Sequence, residues 1–298
     1  MRTYHDCMPC FITQALNTVR RFGGDTEAEE RTLRAVLQVL AAADYSLPPP
    51  RIAPAVYSAI YRSLDSEDPY ARIKRETNRH VLELLPGLDR RVRASADPFA
   101  AAVRLALAGN IIDFGAGRDF DLEATIDRVL RQGPVVDHTD LLRQRLGAAR
   151  RVLYLADNAG EVVLDRLLLE HLHQRPRDTR IVVAVRGGPT INDATLEDAR
   201  TAGLDRLDLE LIEPGVTLPG IDLAGSSPAF LTHFAQADLI ISKGQGNFET
   251  LHDVPAAAGR PIFFLFMVKC EVVARLTGLA VGSPLVALPS ELGWGKQT

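Results

Sequence analysis

The chain has 298 residues, of which 46% are hydrophobic and 24% charged, with a formal net charge of -4 and a pI near 6.0. This is ordinary globular composition for one large domain or two smaller ones, and it excludes disordered, collagen-like and coiled-coil chains. The acidic balance disfavours nucleic acid as a partner, because such domains usually carry a basic excess. No apolar run reaches membrane-spanning length, and Met1-Arg2-Thr3-Tyr4-His5-Asp6-Cys7 is too polar for a secretory signal. Three cysteines imply no disulfide framework. The expectation is a cytoplasmic protein without a membrane partner; the sequence does not specify its oligomeric state.

From about residue 8 to 148 the periodicity is helical. In 27-44, Leu33, Val36, Leu37, Val39 and Leu40 recur three and four apart, as a buried helix stripe requires. Similar stripes follow in 51-64, 69-85, 97-108 and 121-131. Pro or Gly separates them at Pro48-Pro49-Pro50, Asp68-Pro69, Pro86-Gly87, Gly115-Ala116-Gly117 and Gly133-Pro134. No strand is expected before residue 150. After it, β-branched runs alternate with amphipathic stretches. The predicted strands are Arg151-Ala156, Arg180-Val185, Asp208-Ile212, Asp238-Ser242, Pro261-Phe266 and Pro284-Leu288, with helices at 161-173, 192-202, 227-236 and 268-277. Apolar strands alternating with helices predict a doubly wound, mostly parallel α/β sheet covered on both faces. The expected division is a helical N-terminal domain over 1-148 and a Rossmann-like α/β domain over 149-298.

Open α/β sheets bind ligands beyond the carboxyl ends of their strands. Three such ends are polar here: Asp157-Asn158-Ala159-Gly160-Glu161, Arg186 through Asp193, and Ser242 through Glu249. Asp157, Asn158 and Asp193 together offer an oxygen set suited to Mg²⁺ or Mn²⁺. Each alone reads equally as a turn residue, a helix cap or an early-turn carboxylate. Lys243 precedes Gly244-Gln245-Gly246-Asn247, where glycines would let backbone N–H groups approach an anion. The lysine stands before the glycines, so this is not a Walker A loop, and a G-x-G lacking its third glycine is not a dinucleotide fingerprint. Asn110 and Asp113 either face a cleft or mark a helix C-cap turn.

Cys7-Met8-Pro9-Cys10 is a lone C-x-x-C, which excludes a four-cysteine zinc site. A third ligand from Cys270 and a fourth from His5, a redox pair, or simple core packing remain open. Thioredoxin-type motifs follow a strand, and none precedes Cys7. No G-x-S-x-G occurs, so a hydrolase nucleophile elbow is unsupported.

Taken in order, Asp68-Pro69-Tyr70, Gly109-Asn110-Ile111-Ile112-Asp113, Asp157-Asn158-Ala159-Gly160-Glu161, Ile191-Asn192-Asp193-Ala194-Thr195 and Ser242-Lys243-Gly244-Gln245-Gly246-Asn247-Phe248-Glu249 resemble the motifs of the damage-control phosphatases, domain of unknown function 89. The C-x-x-C and Lys269-Cys270 are similar to those of that family's archaeal and bacterial branch. The resemblance implies a helical domain packed on a Rossmann-like domain. It implies a divalent metal (Mn²⁺, Co²⁺, Ni²⁺ or Mg²⁺) held by Asp157, Asn158 and Asp193. It also implies phosphate contacts from Lys243 through Asn247, with Asn110 and Asp113 facing the cleft. The implied activity is hydrolysis of small phosphate esters, including sugar phosphates and damaged phosphometabolites.

On this reading a metal-activated water, favoured over direct attack by Asp157 to form a phospho-aspartate, attacks the phosphoryl group while Lys243 stabilises its oxygens, so Lys243→Ala should chiefly weaken phosphate handling. Glu161 and Glu249 are candidates for support or a general base, and Asn192 for substrate contact. The competing readings are an S-adenosylmethionine-dependent carboxyl methyltransferase and a non-catalytic metabolite-binding protein. The first is disfavoured because Asp157-Asn158 stands where a glycine-rich turn would be needed.

Overall fold

The structure is a computed structural model and describes residues 1-111, 122-173, 179-253, 260-292 and 294. Six helices come first: α1 (Cys7–Arg21), α2 (Thr26–Ala41), α3 (Pro49–Ser63), α4 (Ala71–Ala94), α5 (Pro98–Ile111) and α6 (Leu122–Gln132). A two-residue strand, β1 (Val136–Asp137), and α7 (Thr139–Ala148) lead into the α/β part. There follow β2 (Arg151–Leu155), α8 (Glu161–His173), β3 (Arg180–Ala184), α9 (Leu196–Thr201), β4 (Glu210–Ile212) and α10 (Pro228–Gln236). The chain continues through β5 (Leu239–Lys243), α11 (Gln245–Leu251), β6 (Ile262–Met267), α12 (Glu271–Thr277), β7 (Pro284–Ala287) and α13 (Pro289–Leu292).

All six predicted strands are present. The sheet order is β1-β7-β6-β5-β2-β3-β4, parallel except where β6 meets β7. The doubly wound, mostly parallel architecture is therefore as expected. Two local expectations fail. β1 lies before residue 150; it is held by parallel pairing with β7, a partner no local pattern reveals. Pro86-Gly87 does not break a helix, since α4 runs on to Ala94. Its buried stripe of Val81, Leu85, Leu88 and Val92 continues across the proline, and tertiary packing outweighs the lost backbone bond.

Chain order starts at β2, goes outward to β3 and β4, then returns past β2 to β5 and β6. The direction of winding thus reverses between β2 and β5, opening a crevice at their carboxyl ends. Two layers cover the sheet. On one face α4, α5, α7, α8 and α9 pack against Val152, Tyr154, Leu239 and Ile241; on the other α10, α11 and α12 pack against Leu153, Leu155 and Ile240. Helices α1, α2 and α3 gather a separate cluster around Val36, Val56 and Ile60.

α5 is apolar on all sides, the pattern of a helix buried all round. It lies against α8 at Gly109, where a Cβ would fall 2.9 Å from Cα of Glu161. That contact carries Asn110, in the last turn of α5, to the crevice. No helix among the described residues is long and apolar enough to cross a membrane.

Candidate active site

Three polar segments meet at the crevice. Asp157 and Asn158 follow β2, Asp193 follows β3, and Gly244 through Gly246 follow β5. An isolated antiparallel bridge joins Asn158 to Asp193, and Ala194 N–H donates to the Asp157 carbonyl at 2.8 Å. Asp157, Asn158, Asn192, Asp193, Gln245, Gly246, Glu249 and Lys269 line one cavity of about 530 Å³. Phe11 and Gln14 of α1, and Ala53 and Tyr57 of α3, form the facing wall.

The Asp157 carboxylate is heavily engaged. Oδ2 accepts from Nδ2 of Asn110 at 3.0 Å and from Nδ2 of Asn158 at 2.8 Å. Oδ1 accepts from Nη2 of Arg186 at 3.1 Å. The same guanidinium donates from Nε to Oδ2 of Asp193 at 2.5 Å and from Nη1 to Oδ1 of Asn247 at 3.0 Å. Arg186 is thus the fixed cation between the two aspartates. Burial, then the negative charges of Glu161 and Asp193, push the Asp157 carboxyl up to about 7. Asp193 is also raised, first by burial.

This donor set fits a hard or borderline divalent cation. Two carboxylates and an amide line one cavity, the oxygen donors such a cation takes. Among the described residues no three His, Cys, Asp or Glu side chains gather as a ready-made cage. The fit therefore depends on the Asn158 amide oxygen.

Other expected residues stand behind the cavity. Lys243 is fully buried; its Nζ donates to Oε1 of Glu161 at 2.5 Å, Oδ1 of Asp165 at 2.6 Å and the Ala106 carbonyl at 2.8 Å. Side chains alternate along a strand. Residue 243 shares the face of Leu239 and Ile241, which pack on α5 and α8, so its amine points into that layer. Glu161 is fully buried with it. Asn247 is buried too, and its Nδ2 donates to the Lys243 carbonyl at 2.7 Å. Asn110 is the hinge of three contacts: besides Asp157, its Nδ2 donates to Oε2 of Glu161 at 3.2 Å and its Oδ1 accepts Met267 N–H at 3.0 Å. Asp113 lies outside the described residues.

Gly244 is required by space and backbone. Its φ is +80°, and a Cβ there would fall 2.0 Å from Oδ2 of Asp157. Ile191 adopts φ 45°, rare for a β-branched residue; its N–H is fixed by the Tyr61 hydroxyl at 2.9 Å.

Sequence reasoning missed three participants. Lys269, exposed after β6, is the cation on the cavity wall among the described residues; its position at a strand's carboxyl end was the available signal. Arg186, directly after β3, carried the same signal. Asn78 carried none. From α4 its Oδ1 accepts Gly160 N–H at 2.6 Å, and its Nδ2 donates to Oδ1 of Asp198 at 2.8 Å. Asp198 closes a capping box with Thr195 just past Asp193. One buried amide thereby ties together both loops that bear the aspartates.

The family model described as the damage-control phosphatase ARMT1-like domain matches residues 3-285. The chain is 32% identical over 277 residues to a damage-control phosphatase of Pyrococcus horikoshii, covering 92% of this chain and 94% of that one. It is 32% identical over 287 residues to a damage-control phosphatase of Archaeoglobus fulgidus, covering 93% and 95%. The crystal structure of a DUF89 family protein from Pyrococcus horikoshii superposes with a TM-score of 0.85 at 30% identity, covering 97% of this chain and 99% of that one.

Proposed function

We propose that this chain, which belongs to the damage-control phosphatase ARMT1-like family, is a divalent-metal-dependent hydrolase of small phosphate monoesters. The names of its relatives support phosphatase-type chemistry on phosphometabolites. One observation carries it. Asp157, Asn158 and Asp193 converge on a single cavity with Lys269 at the switch point of the sheet.

In this reading Asp157, Asn158 and Asp193 hold the metal, which when bound neutralises phosphoryl charge and makes a water molecule more acidic. Arg186 and Asn110 keep the Asp157 carboxylate aimed, because each holds one of its oxygens by a hydrogen bond. Lys269 binds the phosphoryl oxygens as a point charge. Glu249 faces the cavity, and burial pushes its carboxyl up to about 7. About half of its carboxyls are therefore protonated near neutral pH, and that form donates to the departing alkoxide. Glu161 is unsuited to that role, being closed off against Lys243. The α1–α3 wall contacts the non-phosphate part of the ester and excludes water.

The test is phosphate release from a panel of phosphomonoesters with Mn²⁺, Co²⁺, Ni²⁺ or Mg²⁺ in turn. Asp157→Ala and Asp193→Ala are expected to abolish metal-dependent release while circular dichroism stays unchanged. Turnover that persists in either variant, or that survives complete chelation, refutes the reading.

A further inference from the structure

All three cysteines of the chain, at positions 7, 10 and 270, line the same cavity. The mechanism uses none of them. Cys7 and Cys10 occupy the first turn of α1, and Cys270 is the N-cap of α12. We propose that Cys7 and Cys10 are an oxidisable dithiol, whose closure to a disulfide reshapes the α1 wall of the cavity and so gates the site.

The geometry of the first helical turn permits this bond. Residues three apart in a helix lie about 5 Å apart at Cα, within the usual disulfide range. Their Cβ atoms start somewhat too far apart, so the turn must tighten. A first turn can do so, because its N–H groups have no partner inside the helix. Here Cys7 N–H and Met8 N–H already bond to the carbonyls of Tyr4 and His5, and Pro9 has no N–H to lose. The residue capping this turn also touches α12, since Asp6 is ion-paired to Arg275 at 2.6 Å.

Cys10 is exposed and Cys7 half-buried, which orders the chemistry. With a hydroperoxide as oxidant, the Cys10 sulfur attacks one peroxide oxygen. The O–O bond breaks, leaving a sulfenic acid on Cys10 and releasing water when the peroxide is hydrogen peroxide. Cys7 sulfur then attacks the Cys10 sulfur, the S–O bond breaks, and the departing hydroxide leaves as water with the Cys7 proton. Two thiols and one peroxide give one disulfide and two waters. Burial, and then the negative charges of Glu249 and Cys270, push the Cys7 thiol up to about 11 and raise Cys10 as well.

The test treats the purified full chain with hydrogen peroxide, then quantifies thiols and maps peptides without reduction. The thiol count should fall from three to one, with Cys7 and Cys10 in one cross-linked peptide. Phosphatase kcat/KM should fall several-fold and return with dithiothreitol. Cys10→Ser should abolish the loss, each protein being compared with its own reduced state, and Cys270→Ser should leave it in place. A cross-link containing Cys270, three surviving thiols, or oxidised protein with unchanged kcat/KM overturns the proposal. The activity readout rests on the proposed phosphatase reaction; the thiol count and peptide map do not, so the two can fail separately.

Discussion

Nζ of Lys243 lies 2.5 Å from Oε1 of Glu161, and both side chains are fully buried. Asp165 completes the group at 2.6 Å, and burial, opposed by Lys243, pushes its carboxyl up to about 7. The lysine before the glycine loop is an internal counter-ion joining β5 to α8.

Removing that amine strands two carboxylates in the layer between α5, α8 and the sheet. Lys243→Met is expected to cost about 3–5 kcal/mol of folding stability, the usual penalty for an orphaned buried ion pair. Urea unfolding checks it. A variant as stable as the parent, altered only in phosphate affinity, would show that Lys243 serves the substrate instead.

Lys269 is the contrasting case, exposed on the cavity wall. Its truncation strands no buried partner. Lys269→Ala should leave the unfolding midpoint unchanged and raise KM for a phosphomonoester about tenfold, the size of one charged hydrogen bond. Inhibition by inorganic phosphate should weaken in parallel, and an unaltered inhibition constant would remove Lys269 from the site.

Cation binding should be pH-linked through Asp157. Its folded carboxyl titrates near 7, above the unfolded value of about 3.9, so between those pH values the folded chain binds more protons than the unfolded one. The sign follows: this group's contribution to stability is greatest at low pH and declines as pH rises towards 7. A divalent cation needs the carboxylate, so its affinity should increase across the same window, with proton release near pH 7. Calorimetry with Mn²⁺ in two buffers of different ionisation enthalpy measures that release. Equal heats in both buffers would contradict it.

Gly244→Ala tests the close approach at the switch point. The positive-φ, extended backbone (φ 80°, ψ 156°) is essentially confined to glycine and alone costs about 1–3 kcal/mol with a side chain, and the new Cβ would sit 2.0 Å from Oδ2 of Asp157. The expected outcome is a folded protein with greatly reduced Mn²⁺ affinity and phosphate release. Gly87→Ala, in α4 with open space around it, is the control and should alter neither.

The sequence by itself determined the alternation of strands and helices, the doubly wound sheet and the three polar strand ends, because these are local signals: periodicity reports which faces are buried, and Gly, Asn and Asp mark where strands turn. It also placed Asp157, Asn158 and Asp193 correctly at one edge. Tertiary structure alone decided which cation faces the cavity. Lys243 ends one strand and Lys269 follows another, but packing against α5 and α8 takes the first inward, while the second stays on the wall. It alone brought Asn78 of α4 behind both aspartate loops and set Cys270 on the same cavity as Cys7 and Cys10. Those relations depend on contacts between residues far apart in the chain, and no local propensity encodes them.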